Sequence, residues 1–316
     1  MILQTNIPLK KEIYNPITYN SNVCLLGSCF STHIGQKLAY YKLKTLQNPF
    51  GILFQPKAIE NLILKAINQG TYTEEDIFYA NERWHCFDAH SELSHPDKNV
   101  LLNNLNTAMA EMYTFLLEAS HIIITLGTAW VYRHIETDTI VANCHKVPQK
   151  QFLKEILPVD EVAASVENCV ALLRSINPKI TILFTVSPVR HVKDGFIENQ
   201  QSKAHLLAGI HQTVSNRHQI HYFPSYEIMM DELRDYRFYT QDMIHPNSIA
   251  IDYIWEKFTH TWVSQESEKT MEAIEKIQKG LAHKPFNPES EQHQKFIANL
   301  QVKIEKLQQD FPHIQF

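Results

Sequence analysis

Short apolar runs ending in glycine or serine, separated by stretches of helical periodicity, recur along this chain and restrict its fold more than any other feature. Asn22 to Leu26 is the first such run. It ends in Gly27-Ser28, and Ile34, Leu38 and Tyr41 then recur at helical spacing. This reads as strand, tight turn, helix. Lys44 to Leu46 reads as a short second strand, closed by Asn48-Pro49-Phe50-Gly51. Pro56 opens a helix to about Asn68, with Ile59, Leu62, Ile63 and Ala66 on one face. His121 to Leu126 is a β-branched run ending in Gly127, the pattern of a strand buried on both faces. Lys179 to Val186 repeats it and ends in Ser187-Pro188, and Ile220 to Phe223 supplies a fifth strand. Helical patterns cover Asn103 to Leu117, Val159 to Leu173 and Asn199 to Asn216, and Trp130 to His134 pairs with Thr139 to Asn143 as a hairpin. Strands alternating with helices predict an α/β fold with a parallel sheet covered on both faces. Such sheets hold ligands beyond the carboxyl ends of their strands. Gly27-Ser28, Gly127-Thr128 and Ser187-Pro188 all fall at such ends, so one shared site is expected there.

With 316 residues, 44% of them hydrophobic, the chain can bury a sizeable core as one large domain with additions or as two domains. The formal net charge of -5 and the lack of any Lys/Arg block argue against nucleic acid or an anionic membrane as partner. The N-terminus lacks the pattern of an export signal and no apolar run is long enough for a bilayer, so a cytoplasmic protein is expected. Cys24, Cys29, Cys86, Cys144 and Cys169 are odd in number and match no disulfide or zinc spacing, which predicts reduced thiols.

Two regions stand apart. Residues 71–100 are less regular, hold Trp84, Phe87 and three histidines, and read as a lid-like loop or small insertion. After about residue 262, Met271, Ile274, Ile277 and Leu281 form one helical stripe and Phe296, Leu300, Ile304, Leu307 and Phe311 another. This predicts a first domain over 1–262 and a helical extension over 263–316, packed on the core or serving as a homodimer contact.

Two short motifs carry chemistry. In Leu26-Gly27-Ser28-Cys29-Phe30 the serine sits between strand and helix, where helix amides stabilise an anion. A plain helix cap is the ordinary alternative. In Asp242-Met243-Ile244-His245 the spacing lets carboxylate and imidazole touch within one turn. A serine hydroxyl needs such a base, and the base needs such a carboxylate.

Together these motifs resemble the layout of the SGNH, or GDSL-like, hydrolases. More narrowly, the chain resembles the GSCFA-domain family. The match is carried by Gly27-Ser28-Cys29-Phe30, Asn48-Pro49-Phe50-Gly51, Thr125 to Trp130, Ser187-Pro188-Val189-Arg190-His191, and the approach from Tyr226 to Asp242-Met243-Ile244-His245-Pro246. The resemblance implies a three-layer α/β/α flavodoxin-like sandwich and an acyl-ester hydrolase. Ser28 would be the nucleophile, His245 the base and Asp242 its orienter. It also implies an oxyanion hole from the amides of Ser28 and Gly51, with Asn48 and Gly127 at the same site. One departure is visible: Ala129 stands where SGNH enzymes place an asparagine donor, and losing such a donor typically costs about 10²–10³ in rate.

Trp130, Arg190, His191, Asn199, Lys203 and His90 are the candidate substrate-binding residues. His85, His90 and His95 are spaced by five, which is wrong for a helical metal pair, so no metal and no cofactor are expected. Cys29 as nucleophile is a minor alternative. The expected activity is a serine esterase on an acyl ester of a small molecule or glycan, an O-acetylated carbohydrate by resemblance. The competing readings are an acyltransferase with the same acyl-enzyme, a non-catalytic carbohydrate-binding module, a metal enzyme centred on the three histidines, and a scaffold acting through its C-terminal hairpin.

Overall fold

The expected parallel sheet is present in the computed structural model, which describes residues 5–214 and 217–316. Its strands are β1 (Asn22–Gly27), β2 (Lys44–Gln47), β5 (His121–Leu126), β9 (Thr181–Val186) and β10 (Ile220–Tyr222). Two further strands pair as a hairpin, β3 (Ile77–Ala80) with β4 (Arg83–Cys86). Three more, β6 (Trp130–His134), β7 (Thr139–Val141) and β8 (Phe152–Ile156), form a small antiparallel sheet. The parallel order is β2-β1-β5-β9-β10. Counting only these five strands, that is the 2-1-3-4-5 order of flavodoxin-like sheets, whose crevice lies where the order reverses beside the first strand. Ser28 follows that strand.

The helices are α1 (Cys29–Tyr40), α2 (Pro56–Ile67), α3 (Lys98–Glu118), α4 (Val159–Ile176), α5 (Phe196–Val214), the single turn α6 (Ser225–Glu227), α7 (Ser248–Trp262), α8 (Gln265–Ala282) and α9 (Glu291–Asp310). Because side chains alternate across a strand, each strand feeds two cores. Cys24, Leu26, Ile122, Ile124, Ile182 and Phe184 pack against apolar faces of α2, α3, α4 and α5. Val23, Leu25, Ile123 and Leu183 pack on the other side against Phe30, Ile34 and Leu38 of α1 and Ile254 and Phe258 of α7. The three layers follow directly from that alternation.

Gly27 is the tightest point of this scaffold. Its φ is +132°, and a Cβ there would overlap the carbonyl oxygen of Thr125 on β5, with the Thr125 amide nitrogen only 2.8 Å away. Only glycine lets β1 approach β5 so closely while the chain turns into α1.

Residues 71–100 are more ordered than the sequence suggests. β3 and β4 are joined by Asn81 and Glu82, both at positive φ, in the conformation hairpin turns demand. The usual signal for that turn is Asn-Gly, which is absent here. α3 starts at Lys98, capped by Asp97, five residues before the apolar periodicity shows. α5 likewise begins at Phe196 and not at Asn199, and residues 215–216 of that expected helix lie outside the described residues.

α8 and α9 pack partly on the core. Met271 and Ile274 join the cluster that holds Trp255, and Phe311 lies 4.9 Å from the Tyr19 ring, centroid to centroid. Gln278 donates to the carbonyl of Tyr40 at 3.2 Å. Leu281 and Phe296, read as part of the apolar stripes, are 45% and 39% exposed. Among the described residues no helix is long and apolar enough to cross a membrane, and all five cysteines are free.

Candidate active site

Ser28 caps α1. Its Oγ accepts from the Phe30 amide at 3.2 Å, and the residue is 2% exposed. The cap and the proposed nucleophile are therefore the same atom, held at the positive end of the helix. Cys29, the next residue, is partly buried, and that burial pushes its thiol up from the ordinary value despite nearby Lys203. This is the opposite of what an activated thiolate needs.

Asp242 and His245 form the pair that their spacing predicts. His245 Nδ1 lies 2.7 Å from Asp242 Oδ2. A carboxylate can only accept, so the proton sits on Nδ1 and leaves Nε2 with the free lone pair in neutral imidazole. The other carboxylate oxygen accepts from the Thr240 hydroxyl at 2.6 Å and from the amides of Ile244 and His245 at 2.8 and 3.0 Å. These bonds, the Thr240 hydroxyl foremost, hold the Asp242 carboxyl well below the usual carboxylate range. Met243 is turned to positive φ to close this loop. No hydrogen bond joins Ser28 to His245 among the described residues. Resting sites often hold such pairs apart until substrate is bound.

Two histidines are close enough for the charge of His245 to act on them. Burial, followed by the charge of His245, lowers the pKa of His33 on α1. Burial first, then Lys203 and His245, push His191 down to about 3. Both are thus kept neutral around the proposed base. His33 was not singled out from sequence; its one signal is that it lies five residues after Ser28, on the helix that Ser28 caps.

The proposed oxyanion amides are engaged elsewhere. Ser28 N–H donates to Thr125 O at 3.1 Å, Gly51 N–H to Asn48 O at 2.7 Å and Gly127 N–H to Phe54 O at 2.7 Å. These bonds form because the residues lie in a strand extension, a tight turn and a strand-end contact, all of which consume backbone donors. Asn48 fares differently. Its Oδ1 accepts from Gly27 N–H at 2.8 Å and its Nδ2 donates to Thr32 Oγ1 at 3.1 Å. Among the described residues its second amide hydrogen meets no acceptor, and the side chain bonds Gly27, the residue before Ser28. The Cys29 amide, first in α1, has no acceptor within its own helix by position.

Several candidate substrate contacts prove to be internal. Lys203 is 1% exposed and its Nζ donates to Gly127 O at 2.7 Å and Ser187 O at 2.8 Å. It ties the ends of β5 and β9 together from below and cannot touch a ligand; burial lowers its pKa to about 7. Asn199, 4% exposed, accepts from the His191 amide at 2.8 Å and so shapes the loop after β9. His90 packs its ring on Gly51 and donates its amide to Phe50 O at 2.9 Å, bracing the Asn48–Gly51 turn. Trp130 and His191 do line a cleft beside the strand ends. His85 is satisfied by Ser94 Oγ at 2.6 Å and Ala80 O at 2.9 Å, and His95 bonds locally to Asp97. Among the described residues no three ligating side chains form a metal-like group.

Arg190 braces the Asp242–His245 loop. Its amide donates to Ile244 O at 3.2 Å, its Nη1 reaches Met243 O at 3.4 Å, and its guanidinium stacks 4.2 Å from the Tyr239 ring. Lysine lacks the planar fork that does both tasks. If the chain has the esterase activity that the resemblance implies, Arg190→Lys should lower kcat on a small aryl acetate by about tenfold while KM moves less than about twofold. A rise in KM at constant kcat would instead make Arg190 a substrate contact.

The fold is that of an α/β/α protein, and the candidate residues Ser28 and Gly127 lie at the carboxyl ends of strands in its flavodoxin-like sheet. The chain belongs to the GSCFA family, whose model matches residues 22–258. A second model, described as GSCFA domain protein, C-terminal domain, matches residues 274–316. No match is found among curated proteins. Similar solved structures include an acetyl esterase mutant with acetate ion, at 10% identity, covering 81% of this chain and 99% of that one with a TM-score of 0.37. A carbohydrate esterase family 3 from Talaromyces cellulolyticus is 9% identical over the same shares, also with a TM-score of 0.37. A Clostridium thermocellum family 3 carbohydrate esterase is 10% identical, covers 76% of this chain and 94% of its own, and has a TM-score of 0.35.

Proposed function

We propose that the protein is a serine esterase that cleaves a small acyl ester through an acyl-enzyme. The observation that carries this reading is the 2.7 Å contact of His245 Nδ1 with Asp242 Oδ2, in a loop where three further bonds, from the Thr240 hydroxyl and the Ile244 and His245 amides, hold the same carboxylate. Asp242 orients the imidazole and supports its charge. His245 takes the Ser28 proton as Oγ attacks the ester carbonyl. The imidazolium then returns the proton to the leaving alcohol, and water repeats the sequence on the acyl-enzyme. The free Asn48 amide hydrogen and the Cys29 amide are the donors best placed to hold the oxyanion, Asn48 standing in for the donor lost with Ala129. The substrate class, an O-acetylated alcohol, rests on the family resemblance.

A fluorophosphonate probe tests the reading. Wild type is expected to label, while Ser28→Ala and His245→Ala do not. An unlabelled wild type that also leaves 4-nitrophenyl acetate intact would refute catalysis, and the chain would then be a binding module on the same scaffold.

A further inference from the structure

A cleft of about 480 Å³ opens between the β6–β7–β8 sheet and the loop after β9. Phe54, Gln55, Thr128, Trp130, Phe152 and His191 are among its walls. It adjoins the strand ends that carry the proposed chemistry. The amides of Gly127 and Thr128 both donate to Phe54 O, at 2.7 and 3.3 Å, and a Cβ on Gly127 would stand 3.0 Å from His191 Nε2. Arg190, the neighbour of His191, donates its amide to Ile244 O at 3.2 Å, next to His245. The loop that walls the cleft therefore runs beside the loop of the base.

Its wall holds two polar side chains with nothing to bond. Gln55 is 3% exposed, and neither its Nε2 nor its Oε1 has a partner. It precedes α2 at the cap position, yet its side chain makes no capping bond. His191 Nε2 is also buried and unpartnered. Native interiors leave few buried polar atoms unpaired, so two in one wall require a reason. No hydrogen bond would have to break before this carboxamide, on the cleft lining, met a ligand.

The chemistry of that wall selects among ligands. Gln55 offers a donor and an acceptor side by side, and His191 is uncharged. The one carboxylate in the cleft, Asp194, is paired with Lys154. An alkyl chain laid over this wall would leave the polar atoms orphaned. Lys146 and Lys193 also line the cleft, but both are exposed to solvent; at the buried wall an anion would repel the Gln55 carbonyl and meet no cation. We infer that Gln55 is a specificity-determining residue, and that this cleft takes a neutral moiety whose groups both donate and accept, a hydroxyl or a secondary amide. Identifying that moiety as the alcohol part of the ester rests on the esterase reading; its binding does not.

Gln55→Met tests this, since methionine has the same length and no polar atoms. The substrates are glycerol monoacetate as the hydroxyl source, the O-acetyl ester of N-acetylserinamide as the amide source, and 4-nitrophenyl acetate, which offers neither. For the preferred source, the ratio of its kcat/KM to that of the aryl ester should fall about tenfold or more. The melting temperature should hold or rise, because an unpartnered carboxamide has been replaced by apolar atoms. A ratio that moves less than about twofold for both esters, or a lowered melting temperature with equal loss on all substrates, overturns the inference while the esterase stands. If wild type cleaves no ester, the esterase reading falls alone, and calorimetry with glycerol and N-acetylserinamide decides the rest. Binding that Gln55→Met abolishes sustains the inference, and no binding to wild type overturns it.

Discussion

Asp242→Asn should lower kcat on a small acyl ester by about 10⁴ while leaving the fold intact. The carboxamide oxygen can still accept from Thr240, Ile244 and His245, as Oδ1 does now, so the loop keeps its shape. The amide nitrogen then faces His245 Nδ1 in place of Oδ2. It can only donate, so it forces the imidazole proton onto Nε2, where a base is needed. Folding is monitored by circular dichroism and the rate by steady-state hydrolysis. A variant keeping more than about a tenth of the wild-type rate would show that Asp242 does not set the tautomer. The pH profile follows from the same bonds. Because the Asp242 carboxyl lies well below the usual range, it stays charged as the pH falls through the ordinary carboxylate range. The acid limb of kcat/KM should therefore show no ionisation from Asp242, and a carboxylate ionisation in that limb that Asp242→Asn removes would contradict this geometry.

Gly27→Ala should be among the most damaging single substitutions in the chain. The new methyl group meets the Thr125 carbonyl of a central strand, and the backbone sits at a φ of +132° that side chains rarely adopt. Neither strain can relax cheaply, since β1 is hydrogen-bonded on both sides, to β2 and β5. We expect a loss on the order of 4 kcal/mol or more, and a melting temperature lower by roughly 10 °C. Calorimetry decides it. A variant melting within about 2 °C of wild type would mean that the sheet moves aside far more easily than close packing allows.

Local pattern made much of the molecule legible. The β-branched run at 121–126 became a central strand because a strand buried on both faces has no polar side to display. Asp242 and His245 were found because residues three apart in one turn meet whatever the rest of the chain does. The hairpin of β3 and β4 was missed because Asn81-Glu82 adopts its turn without the customary glycine. β8 was missed because Phe152–Ile156 shows no clean alternation: its burial runs from buried Phe152 through exposed Leu153 to half-buried residues. Among the site residues, Lys203 and Asn199 were read as ligand contacts from their place near a helix start. Such residues turn outward or inward according to the neighbouring strand ends, which no local pattern records.

The sequence by itself determined the layers, the end of the sheet where the candidate residues gather, and the Asp–His pair, because each depends on periodicity or on contacts within a few residues. The tertiary structure alone decided which donors are spent, that Lys203 clamps two strand ends, that Arg190 ties the loop after β9 to the Asp242–His245 loop, and that Gln55 is left unbonded. The physical reason is that a hydrogen bond forms with whatever the topology brings within 3 Å or so. Here the 2-1-3-4-5 strand order brings together groups as distant in sequence as Gly127 and Lys203.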